Sequence, residues 1–467
     1  MKRQAFFLTL SLLVTLSLPQ ENYSTWAYHK NLILNTSGSG ANVMSDVYNF
    51  PVLVRLGVSD AAIFTQAVGN GKDIRFTKRD NVTRLPHQLE LWDVANKSAA
   101  IWVLVDTIHG NVSNQSIRVH WGQGAAQDSS NGAAVFDTGR GFQAVWHMDG
   151  NAPASDEPDA TKNGFTAAQN SNPASVSGMI AGARNFDGSF NYFSTTNTAS
   201  GPLNFPQNGR YTISAWVNAV AFTAHGVVVS KHDRQYALKL NNGNSWEFFE
   251  FEDASGWNAV SYPPADAQGT WEYLTGVWDG FNAYLYINGI QVGNSPNLTS
   301  STNARVTNTN VTIGRQNESA NRYFMGLMDE VRMASVSRDS NWVRLEFQNQ
   351  QANQTLASLS DTIPTGIGRP PLLTASEPRL SIDLQSGSLI VRMQKSDALK
   401  VRLLMMDAQG RTIWNQTVGM SPGMNRITWN RQLGNERVTG ICLLQATFLD
   451  AKKRTISIVE RKIPFIR

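Results

Sequence analysis

A chain of 467 residues, 41% hydrophobic and 16% charged, has enough apolar surface for more than one core, which excludes a disordered polymer. Its net charge of +4 supplies no general field for nucleic acid. One cysteine, Cys442, excludes intrachain disulfides and cysteine-based zinc sites.

Lys2 and Arg3 precede an apolar run from Ala5 to Leu18, too short to span a bilayer and placed where a secretory leader belongs. The leader is expected over residues 1–25. Thr25 and Ala27 offer small residues for cleavage, while Trp26 can already belong to the first strand and draws the cut earlier. No later stretch is long and apolar enough for a membrane-spanning helix.

From Trp26 to about Phe142 short β-branched and aromatic runs are separated by turn clusters: Pro51 to Leu56, Asp73 to Phe76, Gln88 to Trp92, Ile101 to Val105 and Ile117 to Trp121. Such strands need a second layer to bury their apolar faces, so residues 26–142 read as a β-sandwich. The runs Trp26-Ala27-Tyr28-His29-Lys30, Phe50 to Val54, Gly71 to Phe76, Glu90-Leu91-Trp92-Asp93 and Ala100 to Val103 resemble the secreted bacterial domains known as DUF2341. That resemblance implies architecture and assigns no function.

A second domain, residues 143–350, opens at Ala144 to Asp149 and continues through a polar loop from Asp156 to Gly164. Its clearest stretch is Gly269 to Gly293. Alternation from Trp271 to Val277, a turn at Asp279-Gly280, alternation from Ala283 to Ile287 and a turn at Asn288-Gly289 predict an antiparallel meander. Asp339 to Gln351 carries some helical character. With Tyr211 to Val217 before it and Tyr323 to Arg332 after it, the meander resembles the laminin-G-like, concanavalin A-like domains of secreted proteins. The resemblance implies a jelly-roll sandwich suited to holding glycan or a protein partner.

Residues 351–379, rich in Pro, Ser, Thr and Gly around Gly368-Arg369-Pro370-Pro371, are expected to be a linker. Residues 380–467 read as a small sandwich with strands at Leu389 to Val391, Leu399 to Met406, Arg411 to Trp414, Asn425 to Trp429 and Gly440 to Leu444. The order Met406-Asp407-Ala408-Gln409-Gly410-Arg411, Gly423, Trp429, Gly434, Gly440 resembles the immunoglobulin-like carboxy-terminal sorting domains of the type IX secretion system. Cys442 stands where those tails usually carry tyrosine. The basic residues Lys452, Lys453, Arg454, Arg461, Lys462 and Arg467 have no interleaved aromatics and read as a solvated face, with no nucleic-acid partner implied. The whole is an all-β, multidomain chain.

The laminin-G-like resemblance implies one calcium ion, with Asp159 and Asp329 as matching positions and Asn163 and Asp149 as further ligands. The competing reading makes Asp159 a turn cap and gives Asp329 a cationic partner such as Arg332. A sugar surface needs exposed aromatics beside polar groups, and Trp257, Tyr262 and Trp246 are the candidates, against burial in the core. The same fold hosts hydrolases. On a strand, however, Glu250 and Glu252 share one face and Glu247 takes the other, and the Glu-x-Asp-x-Glu spacing of that enzyme group is missing. His147, His225 and His232 lack metal-like spacing and read as structural. Non-catalytic binding of polysaccharide or a cell-surface protein, outside the cell, is therefore expected, with a structural adhesin as the alternative and a glycoside hydrolase third. The type IX machinery is the expected partner of the last domain.

Overall fold

The computed structural model describes residues 21–150, 156–197, 200–205, 209–222, 225–252, 256–295, 306–317 and 322–360, and beyond these the strands between 380 and 465. Met1–Gln20, most of the expected leader, and residues 361–379 lie outside the described residues. The chain forms two compact units that divide between Thr365 and Gly366. Both are built of antiparallel sheets, as expected of an all-β chain.

The first sandwich packs a five-stranded sheet on a three-stranded one. The latter orders Val47–Leu56, Ser98–Ile108 and His87–Asp93, each covering a run expected from alternation. Leu53, Val54, Ile101, Trp102 and Val103 bury their side chains between the layers. A short helix, Ala61–Gln66, was not expected. It fits between strands by burying Ile63 and Phe64.

The larger sheet of this sandwich runs Ala357–Leu359, Tyr28–Leu34, Gln115–Trp121, Arg75–Lys78 and Arg84–Leu85. Its first member corrects the linker boundary. Residues 351–360 are not free chain: Leu32 pairs with Leu359 and Leu34 with Ala357, and Leu356 is fully buried. Two leucines and a few small residues suffice because the edge of an existing sheet supplies their hydrogen bonds. Residues 21–25, expected within a leader, pack on this sheet as well. Tyr23 and Trp26 are buried against His120, and Glu21 pairs with Arg75 at 3.0 Å, so residues 21–25 belong to the folded domain.

The second sandwich packs an eight-stranded sheet on a seven-stranded one. The meander falls as alternation predicts, on Trp271–Trp278, Ala283–Ile287 and Ile290–Asn294. Asn288 and Gly289 both take positive φ, 51° and 74°, as a two-residue hairpin turn requires. Gly276 lies under Phe248 of the facing sheet, where a Cβ would come within 2.2 Å of the ring. Met325–Ala334 is central to the larger sheet and pairs with Gly182–Asp187, Tyr211–Ala219 and Phe142–Trp146.

The helix Ser340–Gln350, capped by Asp339, follows that strand and joins the two sandwiches. Asn349 of the helix exchanges hydrogen bonds with both backbone groups of Leu53, at 2.6 and 3.0 Å. Trp342 and Leu345 complete the first core. The two sandwiches are thus one packed body.

The second unit contains strands Leu380–Gln385, Ser388–Gln394 and Met424–Asn430 in one sheet and Lys400–Met406, Thr412–Gly419, Gly440–Leu449 and Thr455–Phe465 in another. Trp429 lies on a strand and Gly440 begins one. The sorting-type positions 407–411, Gly423 and Gly434 lie outside the described residues.

Candidate functional site

Among the described residues, polar and aromatic side chains line hollows at the outer face of the seven-stranded sheet and at the seam between the sandwiches.

On the outer face, strands Tyr236–Leu240, Trp246–Glu252 and Gly256–Tyr262 lie side by side. Alternation sends Leu238, Leu240, Trp246 and Phe248 into the core, and their neighbours outward. The register aligns Lys239 with Glu247, Ala237 with Phe249, and Phe251 with Trp257. Lys239 pairs with Glu247 at 2.8 Å. Trp257 is 53% exposed, yet it is held: its indole N–H donates to the Asp233 carbonyl at 2.6 Å and its ring meets Phe251 edge-on at 5.0 Å. Asp233, Lys239, Glu247, Phe249 and Trp257, with His225, Ala259 and Arg322, line a hollow of about 260 Å³. Burial, together with Lys239 and Arg322, holds the His225 pKa below its usual range.

The other two sugar-site candidates are corrected. Trp246 is 0% exposed because it shares the core face with Phe248, and its N–H donates to Glu272 at 2.8 Å, so no ligand can stack on it. Tyr262 is 45% exposed, but it stands an odd number of residues from Trp257 on one strand, opposite Trp246, and therefore belongs to the other face. Glu250, 2% exposed, also sits across the sheet from Glu247. Lys239 and Arg322 were missed, because only the cross-strand register and the packing of a distant loop bring them beside Trp257.

The seam is built on Met325–Ala334. The pairing with Tyr211–Ala219 shifts register between Ser214 and Trp216, and Glu330, opposite the shift, takes φ 51°. That bulge turns Glu330 out of the sheet toward the first sandwich. Its Oε1 meets His147 Nδ1 at 2.6 Å, and its Oε2 accepts from Arg332 at 2.5 Å. Arg332 also donates to Glu346 of the helix at 2.9 Å, and its guanidinium lies 4.4 Å over the Trp102 ring. Glu90 of the first sandwich accepts from Trp102 Nε1 at 2.5 Å and lies 3.5 Å from His147 Nδ1.

All these groups are buried, so their charges act at close quarters. Burial pushes the Glu90 carboxyl up to about 8, the nearby Glu330 charge adding to the effect against His147. Burial alone would lower the His147 pKa, but Glu330 and Glu90 outweigh it and raise it to about 9. Glu330 is held low: burial raises it, and the His147 and Arg332 charges more than reverse that. Burial also keeps Asp329 well above the carboxylate range, with Glu330 and Glu90 contributing.

Two of the four expected calcium ligands, Asp159 and Asp329, already accept hydrogen bonds from the protein. The Asp159 carboxylate already accepts from the backbone N–H groups of Val145, Thr161 and Phe165 and from the Thr161 hydroxyl, at 2.8–3.0 Å, so protons occupy the directions a cation needs. It caps a turn. Asn163 turns its amide N–H toward Gln143. Asp329 points elsewhere, accepting from Ile180 N–H at 2.7 Å, and Arg332 partners Glu330 and Glu346 instead. Asp149 lines a seam cavity of about 400 Å³ together with Gln88, Glu90 and His147.

Among the described residues, no helix is long and apolar enough to cross a membrane. No curated protein matches the chain. Among solved structures, domain 4 of AbnA, a GH43 extracellular arabinanase from Geobacillus stearothermophilus, aligns at 18% identity and TM-score 0.34, covering 44% of this chain and 97% of that one. The binding domain of Paraclostridial Mosquitocidal Protein 1 aligns at 10% identity and TM-score 0.39, covering 66% and 75%. The botulinum neurotoxin serotype D binding domain aligns at 10% identity and TM-score 0.37, covering 66% and 71%. Scores this low say nothing about a ligand. Residues 187–344 match the family model described as the concanavalin A-like lectin/glucanases superfamily, and residues 70–149 match the domain of unknown function DUF2341, so the chain carries a concanavalin A-like domain preceded by a DUF2341 domain.

Proposed function

We propose that this is an exported, non-catalytic binding protein whose concanavalin A-like domain holds polysaccharide or glycan on the outer face of its seven-stranded sheet. The observation that carries the reading is Trp257: a half-exposed flat ring, fixed through its N–H and its edge contact, beside the Lys239–Glu247 pair and Arg322. Pyranose faces stack on such rings while hydroxyls take hydrogen bonds from charged neighbours. Because the ring is already fixed, little side-chain freedom is lost on binding.

Pull-down of the full chain on a panel of insoluble polysaccharides and a glycan array is the direct test. Trp257→Ala is expected to weaken attachment by about 10-fold or more, an aromatic anchor's typical contribution, while Tyr262→Ala, on the opposite face, leaves it unchanged. Equal binding by wild type and Trp257→Ala would refute the platform. Reducing ends released over time would favour a hydrolase; surface retention without saturable glycan binding would favour a structural adhesin.

Export through the amino-terminal leader and delivery by the type IX machinery through residues 380–467 complete the proposal. A chain truncated after Gly368 is expected to remain inside the cell. Its appearance outside would remove the sorting role.

A further inference from the structure

The seam holds an unused donor set. Among the described residues, one group of His, Cys, Asp or Glu brings ligand atoms from three residues within 4.8 Å of one another: Glu90, His147 and Glu330, all buried. We propose that these three bind a divalent first-row transition ion, of the Zn²⁺ class, that staples the DUF2341 domain to the concanavalin A-like domain.

Four observations carry the inference. First, the side chain of Glu90 is fully enclosed, yet its Oε1 has no hydrogen-bond partner, although it lines the wall of a cavity. A buried carboxylate oxygen left without a donor costs free energy unless a cation or a proton meets it. Second, the outer shell is in place. His147 Nε2 lies 3.3 Å from Gln88 Oε1, which keeps one ring proton on Nε2 when a cation replaces the Nδ1 proton that faces Glu330. Trp102 orients Glu90 and Arg332 orients Glu330, each through the oxygen named Oε2.

Third, the charges cancel as one network, Glu90, Glu330 and Glu346 balancing a divalent ion and Arg332, which bridges Glu330 and Glu346. Fourth, the cavity of about 400 Å³ gives an ion a way in and room for water as the remaining ligand. One imidazole with two carboxylates suits zinc and its neighbours, whereas calcium prefers oxygen alone. Tetrahedral co-ligands of such an ion stand about 3.3 Å apart, so Glu330 Oε1, now 2.6 Å from Nδ1, has about 0.7 Å to move.

The test uses the full chain, stripped with chelator and then dialysed against Zn²⁺, Co²⁺ or Ca²⁺. Elemental analysis is expected to find about one Zn²⁺ per chain, with a raised thermal midpoint. Co²⁺ is expected to give visible d–d absorption, reporting its own coordination. Glu90→Gln, near-isosteric and checked for fold by circular dichroism, is expected to lower Zn²⁺ affinity by about 100-fold or more and to change the Co²⁺ spectrum. Wild-type chain that retains no Zn²⁺, a midpoint that answers to Ca²⁺ and not Zn²⁺, or an unchanged Co²⁺ spectrum in Glu90→Gln overturns the assignment. The elemental measurement on wild type stands even if the variant does not fold.

Discussion

On the outer sheet face Lys239, Asp233, Arg322 and Trp257 line an open hollow, whereas at the seam Arg332, Glu330, Glu346 and His147 are enclosed by Trp102 and Phe136. The residue types are nearly the same. In the hollow a charge left half-satisfied costs little, because water serves it until a ligand arrives. At the seam no such substitute reaches Glu330 or Arg332, so each is held by fixed partners on two or three elements. The first arrangement suits recognition; the second suits holding two domains in one orientation.

That contrast can be broken most forcefully at Arg332. Arg332→Leu leaves Glu330 and Glu346 buried without their cation and is expected to cost about 3–5 kcal/mol in denaturant unfolding. Trp257→Ala in the hollow is expected to cost about 1 kcal/mol or less. Equal losses at the two positions would mean that the seam is no more demanding than the surface.

A somewhat smaller effect is expected at the strand that returns to the first sandwich. Leu356 is fully buried beside Ala357 and Trp342 in one core, and Leu356→Ala is expected to cost about 3 kcal/mol by the same measurement. A neutral result would restore residues 351–360 to the linker.

The mildest test separates the histidines. His147 has carboxylates beside it, but His87 and His120, buried in the first sandwich, face Phe76 and Thr77. Burial pulls both down to about 3, with Arg75 adding to the effect at His87 and His29 at His120. Since the unfolded chain takes up these protons first, near pH 6.5, their contribution to stability is intact above that pH and is lost as pH falls toward about 3. Denaturation midpoints are expected to decline from about pH 6.5 downward, and His87→Gln with His120→Gln to flatten the decline. An unaltered slope in the double variant would assign acid sensitivity elsewhere.

Much of the fold was legible because alternation and turn chemistry are local. Asn288-Gly289 announces its hairpin, and Trp271 to Val277 its strand, without reference to anything distant. Sites depend on register, which is not local. Trp257 was found as an aromatic in an irregular stretch, but only cross-strand pairing distinguishes it from Trp246, whose ring faces inward. The seam was illegible for a stronger reason: His147 and Glu330 stand 183 positions apart, and Glu330 reaches its partner only through a bulge. Scattered histidines gave no spacing to read. Residues 351–360 were hidden by composition, since a polar segment joins a sheet when that sheet's edge awaits it.

The returning strand has a bearing on the order of events in the cell. Asn31 receives its closing hydrogen bonds from Ser360, 329 positions later, so Tyr28–Leu34 has an open edge throughout the synthesis of everything between. The domain made first is therefore completed only after the concanavalin A-like domain has been made. A pause in translation before Leu359 would leave that edge bare.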